Sequence, residues 1–421
     1  MPSILFLSQS LPFPPDSGGK QRTFHVLTEL QREFDVHLVS FARRAHQAVP
    51  EQRARAEAEL SKRLTRVLPS VPYPNEWSRA RLLWDHGRSL LTGKVYSHFQ
   101  YGVPEFGRRI DEALNEFTPE LIHFDCIDFF PWFARFPQTP VTCTHHDIES
   151  HLLARRAGTA RNSLLGKYIR LQARLMESVE REYCPRFELN LTMSSLDSER
   201  LTTIAPEAKI AEVPNAVDLE SFPVPSESLE EENTVVFVGP TYLFANEDAA
   251  WFLVKEVWPR VLEKKKAARL FLVGKNTAEQ KRAFSRIPGV TPLGWVDRIQ
   301  EPVARAACSV IPIRVGGGTR IKILESWALG RAIVTTSIGG EGLAMEDGVN
   351  ALVRDDPNGF ADGIIQVLEN RSLRRRLGQE GRRTVEESYN WRTIGQNLRN
   401  RYKLIISGSN GRDPASVGSE T

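Results

Sequence analysis

The chain has 421 residues, of which 41% are hydrophobic and 25% are charged, and its formal net charge is +3. A chain of this length is larger than a single hydrophobic core, so two domains of roughly two hundred residues each are expected. The ordinary composition excludes a fibrous or disordered protein. Because 55 basic residues are almost balanced by 52 acidic residues, the overall charge gives no indication of nucleic-acid binding.

The cysteine pattern and the N-terminus indicate a cytoplasmic protein. Four cysteines are scattered without a CxxC pair or a His/Cys cluster at metal spacing, which argues against a disulfide framework and a zinc site. The first residues, Met1 to Leu7, have no basic region and only a short apolar run, so they predict a strand and not a signal peptide. No stretch approaches the ~20 apolar residues that span a bilayer. Any membrane association is therefore expected to be peripheral, on the inner face of the plasma membrane.

The first half of the chain predicts alternating strands and helices. A short apolar run from Ser3 to Ser8 precedes a loop rich in proline and glycine, which is typical of a buried parallel strand and a functional loop. Phe24, Leu27 and Leu30 then recur at helical spacing. Further strands are expected at 35–41, 121–124, 141–144 and 189–193, and a long amphipathic helix at 163–183. The helix-prone stretch 51–62 has no assigned place.

The second half is more regular, because apolar runs alternate with helical patterns at 235–238, 270–273, 290–293, 309–313 and 333–336. This alternation predicts a doubly wound parallel sheet. We therefore expect an α/β protein in which two Rossmann-like domains face each other across a cleft. The expected boundaries are a first domain over 1–215, a linker over 216–232, a second domain over 233–390, a helix over 391–406 that packs back on the first domain, and a disordered tail over 407–421.

The most informative segment is 311–330, in which a strand ends, three glycines form a turn and a helix is expected to begin at about Thr319. Backbone N–H groups at a helix start, with the positive end of the helix dipole behind them, form a site for an anion such as a diphosphate. Arg320 and Lys322 add positive charge beside it. Glu325, expected as a helix-surface carboxylate, lies on the same helical face as Lys322 and is placed to accept hydrogen bonds from sugar hydroxyls.

A simpler interpretation of this segment is a glycine-rich turn before an ordinary helix, with Lys322 and Glu325 as an i,i+3 ion pair. Three other strand ends near the same predicted sheet edge also carry glycine. They read FVG at 237–239, LVG at 272–274 and LGWV at 293–296. This accumulation favours a binding site over packing alone.

Several motifs carry a resemblance to a known family. In the second half they read FVGPTYLFANEDAAWFLVKEVWP, LFLVGKN, PLGWV, PIRVGGGTRIKILESWALGRAIVTT and GGEGL; in the first half they read SLPFPPDSGGKQR, HHDIES and VPNAVD. With these motifs the chain resembles the GT-B glycosyltransferases of the large retaining family 4, the glycosyl transferases group 1. The resemblance is strongest to the bacterial branch that builds exopolysaccharide and other cell-envelope glycans.

The resemblance implies that the second domain binds a nucleoside diphosphate sugar. Glu325 would bind the ribose, and the backbone around Trp295 and Val296 would meet the base. The diphosphate would lie against a glycine loop and helix start, formed by Gly316, Gly317, Gly318 and Thr319. The expected donor-binding set is completed by Gly239, Asn246 and, from the first domain, Gly19.

Two positions depart from the family pattern. The family commonly has two glutamates eight positions apart, but Gly317 stands eight positions before Glu325. Recognition of the donor sugar is therefore expected from backbone groups or from Lys322. The usual Arg and Lys pair after the first strand of this domain is also absent, because the loop reads PTYLFAN at 240–246. We therefore assign Arg320 and Lys322 a catalytic role in neutralising the departing diphosphate.

The first domain is expected to hold the acceptor. Gly19, Lys20 and Arg22 resemble the first loop of the family, although a solvated turn at a helix start explains Lys20 equally well. A single histidine near a strand end is more often structural, yet polar clusters at consecutive strand ends of one sheet point into the same crevice. We expect Asp125 and His146 to be catalytic. The acceptor side would be lined by Lys20, Arg22, His123, His145, Asp147 and Glu149.

The resemblance implies transfer of the sugar to a glycan or lipid-linked acceptor with retention of configuration. A front-face route is expected because no nucleophilic carboxylate is evident. No Asp-x-Asp motif is present, and a helix dipole with basic side chains can neutralise the leaving group, so neither a metal nor a cofactor is expected. A nucleotide-sugar epimerase and a catalytically silent partner of a glycan assembly complex remain as alternatives. An NAD-dependent oxidoreductase is disfavoured because neither half opens with an intact GxGxxG.

A basic stretch from Ser150 to Met176 contains no acid. Its basic residues alternate with leucines, and they are Arg155, Arg156, Arg161, Lys167, Arg170 and Arg174. Such a segment suits contact with an anionic membrane surface. A solvated helix whose apolar residues face the protein core fits the same periodicity.

Overall fold

The structure, a computed structural model, describes residues 1–158, 163–316 and 318–410. They form two units: Met1–Pro214 with the chain from Thr393 onward, and Asn215–Arg392. Residues 216–232, predicted as a linker, are grouped with the second unit, where a strand already begins at Glu231. The predicted tail is wrong for residues 407–410, which continue the last helix, and 411–421 lie outside the described residues.

The first unit contains one parallel sheet of eight strands in the order β3-β2-β1-β5-β6-β7-β8, with β4 also paired to β2. The strands are β1 Ser3–Ser8, β2 Asp35–Ala42, β3 Arg66–Val67, β4 Val71–Pro72, β5 Leu121–Phe124, β6 Val141–His145, β7 Leu189–Thr192 and β8 Ile210–Glu212. The helices are α1 Gly18–Gln31, α2 Pro50–Ser61, α3 Pro74–Trp77, α4 Arg79–Thr92, α5 Ser97–Tyr101, α6 Pro104–Glu116, α7 Glu149–Gly158, α8 Ser163–Tyr183 and α9 Ser195–Ile204.

From β1 the strands follow one another towards one edge of the sheet, and from β5 they follow one another towards the other edge. Strands β1 and β5 are hydrogen-bonded neighbours. In a doubly wound sheet such a switch point leaves a crevice at the carboxyl ends of the strands, where ligands bind. The residues that end β1 and follow β5 are Ser8 and Asp125. The fold therefore brings a residue from the start of the chain next to one that is more than a hundred positions away.

The second unit contains a six-stranded parallel sheet in the order β11-β10-β9-β12-β13-β14. Its strands are β9 Glu231–Val238, β10 Arg269–Val273, β11 Val290–Gly294, β12 Ala306–Ile311, β13 Ala332–Thr335 and β14 Leu352–Val353. Its helices are α10 Phe244–Phe252, α11 Trp258–Lys264, α12 Ala278–Phe284, α13 Gln300–Arg305, α14 Ile321–Ala328, α15 Ser337–Gly340, α16 Pro357–Glu369 and α17 Arg371–Ser388, followed by α18 Trp391–Asn410.

This strand order is the 3-2-1-4-5-6 arrangement of dinucleotide-binding folds, with its switch point between β9 and β12. Strand β12 and the second half of β9, residues 235–238, are apolar and largely buried, as is typical of parallel strands covered on both faces. The loops after β9 and β12 therefore meet at one edge of the sheet. These are the loops that contain Gly239 and the glycine run.

Candidate active site

The loop between β12 and α14 has the backbone of a phosphate-binding turn. Gly316 and Gly318 have φ of +116° and +72°, which are conformations that only glycine adopts without strain. Helix α14 begins at Ile321, later than the predicted Thr319, because Arg320 has an extended backbone. Arg320 donates from Nη1 to the carbonyl oxygen of Gly318 at 2.6 Å. Gly317 lies outside the described residues.

Two further contacts fix this loop in place. The Asn215 side chain donates to Thr319 Oγ1 at 2.5 Å. Arg314 donates from Nε and Nη2 to the two carboxylate oxygens of Asp248 at 3.0 and 2.7 Å. Bidentate pairs of this kind add geometric definition as well as energy. Asp248 lies on α10, the helix that also contains Asn246, so Arg314 connects the glycine loop to the next feature of the site.

At the end of β9, Gly239 leaves room for a polar contact. Lys322 donates from Nζ to Asn246 Oδ1 at 2.8 Å, and Asn246 donates to the carbonyl oxygen of Pro240 at 3.2 Å. A Cβ added to Gly239 would stand 2.8 Å from both the Asn246 side chain and Lys322 Nζ. Gly239 is therefore required here by the close approach of two polar side chains.

Burial and, to a smaller extent, the positive charge of Arg320 lower the pKa of Lys322 to about 7, although the Glu325 carboxylate partly opposes the shift. Two cations held together beside a glycine turn are electrostatically costly in the absence of an anion. The predicted i,i+3 pairing of Lys322 with Glu325 is thus only part of the arrangement around Lys322, because the hydrogen bond from Lys322 goes to Asn246. This cluster of charge is suited to a diphosphate.

Glu325 is 7% exposed, so the expectation of a helix-surface carboxylate is wrong. Helix α14 is buried from Ile323 to Ala328, since its sequence is apolar except at Lys322, Glu325 and Ser326. A carboxylate in such surroundings needs polar partners. Its position on α14 keeps it one turn from Lys322.

Trp295 and Val296 follow β11 directly. Gly294, with φ of +75°, turns the chain there, and Trp295 is left 53% exposed. The ammonium of Lys275 lies 4.9 Å from the centroid of the Trp295 ring, a cation–π contact that the sequence did not suggest. Val296 packs in part against a buried cluster that contains Val236.

In the first unit, Asp125 is the centre of a buried hydrogen-bond network at the β1/β5 switch point. Its Oδ2 accepts from Ser8 Oγ at 3.0 Å and from Thr23 Oγ1 at 2.8 Å. Its Oδ1 stands 3.3 Å from His146 Nε2. His146 is the more accessible partner, with 17% of its side chain exposed against 3% for Asp125. The structure thus brings together Asp125 and His146, the two residues of the first domain that were predicted as catalytic, and it adds Ser8 and Thr23, which sequence reasoning missed.

The two other histidines predicted to line the acceptor side, His123 and His145, are buried in the protein. His123 is buried between Thr142, Thr144 and Tyr402, whose hydroxyl groups lie 3.0, 3.2 and 2.7 Å from its ring nitrogens. Burial lowers the pKa of His123 to about 3. His145 is buried in the same sheet, and burial lowers its pKa to about 4. Both therefore remain neutral at physiological pH.

The His145 ring meets Asn190 on the neighbouring strand, with Nε2 at 2.9 Å from Asn190 Oδ1. Asn190 in turn donates to two backbone carbonyls, those of Cys184 and Lys209. This chain of bonds spans strands β6 and β7 and the loop before β8. Its geometry is that of a structural network inside the sheet.

At the start of α1, Gly19 and the basic residues that follow it have different surroundings. Gly19 is exposed, and a Cβ added to it would meet nothing within 4 Å. Lys20 is buried and pairs with Asp16 at 2.8 Å, and Arg22 is buried and donates to the carbonyl oxygen of Pro214 at 3.1 Å. Burial of Asp16 raises the pKa of its carboxyl group, but hydrogen bonds from His46 and Lys20 hold that pKa well below its usual range.

Asp147 and Glu149 are half-buried at the loop after β6 and at the first residue of α7. Burial, together with the negative charges of Asp128, Asp147 and Glu180, raises the pKa of Glu149 well above its usual range. Glu180 belongs to α8, and its carboxylate meets the N-terminus of α7, where it accepts from the backbone N–H of Ser150 at 3.1 Å. An acid at a helix N-terminus is favourable.

Among residues 1–158, 163–316 and 318–410, no group of three or more His, Cys, Asp or Glu side chains is arranged to hold a metal ion. Within the same ranges, no helix combines the length and apolarity that a bilayer crossing requires.

The two units define the class of fold, because proteins of the GT-B fold share this pair of parallel-sheet units. Sucrose-phosphate synthase from Thermosynechococcus elongatus matches with a TM-score of 0.71 and 16% identity, over 97% of this chain and 100% of that protein. HepE from Anabaena, solved in complex with UDP-glucose, matches with a TM-score of 0.65 and 15% identity, over 96% and 99% of the two chains. The GT-B fold predicted from sequence is confirmed.

A sequence model of the glycosyl transferases group 1 matches residues 232–370, about a third of the chain. The matched part contains the glycine loop, Lys322 and Glu325.

Curated relatives match over part of their length. A phosphatidyl-myo-inositol mannosyltransferase from Mycobacterium tuberculosis is 28% identical over 208 residues, which are 46% of this chain and 54% of that enzyme. The chain thus spans about half the length of this relative. LpsE of Rhizobium meliloti, a lipopolysaccharide core biosynthesis glycosyltransferase, is 45% identical over 65 residues, which are 15% of this chain and 19% of the relative.

Proposed function

We propose that this protein is a glycosyltransferase that moves a sugar from a nucleoside diphosphate donor to a glycan or lipid-linked acceptor. The observation that carries the proposal is the glycine turn at the β9/β12 switch point with Arg320 and Lys322 beside it. This is an anion site at the edge of the sheet where nucleotides bind in doubly wound folds. The site lies within the part of the chain that a sequence model of the glycosyl transferases group 1 matches.

In this proposal each donor group has its own contact in the second unit. The loop of Gly316–Thr319 and the backbone at Gly239 hold the diphosphate, and Glu325 accepts hydrogen bonds from the ribose. The backbone around Trp295 and Val296 meets the base. As the bond between sugar and diphosphate breaks, negative charge grows on the leaving group, and Arg320 and Lys322 stabilise that charge.

The first unit supplies the acceptor side. Asp125, held by Ser8 and Thr23, orients the His146 ring, whose remaining nitrogen takes the hydrogen bond of the acceptor hydroxyl. Asp147 and Glu149 lie close by in sequence and are half-buried. His123 and His145 are buried among protein groups. They therefore do not contact the acceptor, and they act only by supporting the sheet. Lys20 holds Asp16 in the loop after β1, and Arg22 holds the carbonyl group of Pro214.

Retention of anomeric configuration with a front-face displacement is part of the proposal. Asp125 is almost completely buried and already accepts two hydrogen bonds, so it is poorly placed for nucleophilic attack. The proposed setting is cell-envelope or exopolysaccharide synthesis by a cytoplasmic, peripherally bound enzyme. The named activities of the relatives from Mycobacterium tuberculosis and Rhizobium meliloti support this setting.

A thermal-shift screen followed by a transfer assay tests the function. A ligand at a hundred times its dissociation constant adds about 2.7 kcal/mol of stability, so one nucleoside diphosphate and its sugar should raise the unfolding temperature clearly. That donor is then incubated with the protein and with candidate acceptors. Transfer of sugar to an acceptor is the expected result.

The alternatives give different outcomes in the same experiment. Conversion of the donor into an isomeric nucleotide sugar without any acceptor would identify an epimerase. Donor binding without turnover under all conditions would identify a silent partner of an assembly complex. Absence of a shift with every nucleoside diphosphate would refute the proposed donor site.

Transfer is expected to be insensitive to EDTA, because the basic side chains and the glycine loop are assigned the neutralisation of the leaving group. The measurement is initial rate with and without chelator at saturating donor. A loss of activity that added Mg²⁺ or Mn²⁺ restores would show that a divalent ion takes part.

Binding of the nucleoside diphosphate is expected to take up most of one proton at pH 8. With its pKa at about 7, Lys322 is largely neutral at pH 8, and a bound diphosphate favours the charged form. The heat of binding, measured in two buffers of different ionisation enthalpy, gives the number of protons. Lys322→Met, which keeps the length of the side chain, should abolish the uptake. Equal uptake by the variant would assign the proton to another group.

A further inference from the structure

Helix α4 carries its apolar residues on the outside. Asp85 and Ser89 are completely buried, whereas Leu83, Trp84, Leu90 and Leu91 are between 59% and 87% exposed. The four apolar residues fall on one stripe of the helix, at i, i+1, i+7 and i+8. A surface helix of a water-soluble domain has the opposite arrangement.

The inner face of α4 is polar because it is hydrogen-bonded. Asp85 pairs with Arg81 at 3.0 Å, Ser89 donates to the carbonyl oxygen of Lys94 at 2.7 Å, and Gln172 donates to Ser89 at 2.9 Å. These bonds satisfy Oδ2 of Asp85 and the Ser89 hydroxyl, which would otherwise be costly to bury. The outward position of the leucines is therefore held by specific contacts.

Helix α8 extends the same surface. His86 of α4 lies 2.5 Å from the Tyr168 hydroxyl of α8, and Leu164, Leu165 and Leu171 are exposed on the stripe of α8 that contains Tyr168. Large exposed apolar areas on a protein mark interaction sites. We call this surface the basic apolar face; it consists of Leu83, Trp84, Leu90, Leu91, Leu164, Leu165 and Leu171 with the cations around them.

The charge around these residues has a single sign. The segments 79–96 and 150–176 contain one acid, Asp85, and that residue is buried and paired. The exposed cations of the same two segments include Arg79, Lys94, Lys167, Arg170 and Arg174. Arg161, part of the predicted basic stretch, lies outside the described residues. Leu153, in contrast, is buried, so the core-facing alternative holds for α7 but not for the start of α8.

We propose that the basic apolar face docks on a bilayer of anionic lipids. Charge complementarity selects this occupant, because two copies of a uniformly basic face repel each other. A stripe of leucine and tryptophan bordered by arginine and lysine is the arrangement that enters the headgroup region while its cations meet lipid phosphates. The inference deepens the peripheral membrane setting of the proposed function by naming the surface and the charge of the lipids, and it does not depend on the transfer of sugar.

Co-sedimentation of the full chain with vesicles tests the proposal. Binding is expected to phosphatidylglycerol-containing vesicles at low salt, and to be at least tenfold weaker with pure phosphatidylcholine. L83Q/W84Q/L91Q and, separately, K94E/K167E/R170E should each reduce binding at least tenfold. The matched controls are V224Q/L229Q/L404Q, which alters three other exposed apolar residues, and R55E/K266E/K281E, which makes the same change of charge elsewhere. Both controls should bind as the unchanged chain does.

Circular dichroism and the thermal shift with a nucleoside diphosphate show whether each variant is folded. Equal sedimentation of the unchanged chain and of both test variants would overturn the proposal, and so would equal binding to neutral vesicles. A dimer that L83Q/W84Q/L91Q dissociates, without vesicle binding, would assign the face to a second copy of the chain. Vesicle binding by a protein that transfers no sugar would leave this inference standing and refute only the proposed function.

Discussion

Replacing Glu325 by alanine is expected to weaken binding of the nucleoside diphosphate by about a hundredfold. A hydrogen bond to a charged group contributes about 1.5–3 kcal/mol, and the proposed ribose contact has two hydroxyls, so a loss near 3 kcal/mol is the reasonable scale. Every ~1.4 kcal/mol is a factor of ten in affinity. Isothermal titration with the nucleoside diphosphate measures the effect directly.

Because Glu325 is buried, this test needs a variant that keeps the shape of the site. Glu325→Gln retains the volume and one acceptor oxygen and should lie between the unchanged protein and Glu325→Ala. Glu301→Ala, on the exposed start of α13, controls for the loss of a carboxylate. If Glu325→Ala is folded and binds with unchanged affinity, the ribose contact is misassigned.

Replacing Lys322 or Arg320 by alanine is expected to lower kcat by about 10²–10³-fold. Donor affinity should fall much less, because the charge on the diphosphate grows as the bond to the sugar breaks. Lys322 also holds Asn246 at 2.8 Å, so Lys322→Ala removes a contact that orders the site as well as a charge. Steady-state rates at saturating donor, set against donor affinity from titration, separate the two effects.

A conservative variant distinguishes charge from packing at this position. Lys322→Arg keeps the positive charge and should recover part of kcat, whereas Lys322→Met, which keeps only the length, should not. Lys266→Ala, exposed near the end of α11, should have full activity. Unchanged turnover in both Lys322→Ala and Arg320→Ala would remove these residues from the mechanism.

The predicted strands and helices agree with the structure where the pattern is long and strongly apolar. Strand β1 spans Ser3–Ser8 and helix α8 spans Ser163–Tyr183, as predicted. Strand β12 begins at Ala306, before the predicted 309, because Ala306 and Ala307 are too small to stand out as apolar. Strands of two or three residues, such as β3 and β8, have no periodicity to detect.

The candidate site was predictable only in part. Glycines at strand ends and the charges that follow them are visible in a sequence, because each reports on local backbone or on helix spacing. The partners of Asp125 were not visible, since Ser8 and Thr23 come from another part of the chain and meet it only across the sheet. The same holds for Tyr402, which reaches His123 from the last helix.

The sequence by itself determined the two-unit α/β architecture and the place of the glycine turn, because hydrophobic periodicity and glycine conformations are local properties. Only the tertiary structure decided which polar groups are buried. It enclosed Glu325, His123 and His145, whose surroundings come from distant elements. It also turned the leucines of α4 outward by giving Asp85 and Ser89 hydrogen-bond partners inside the first unit. Whether a residue is buried depends on what packs against it in the folded chain, and its neighbours in sequence do not reveal this.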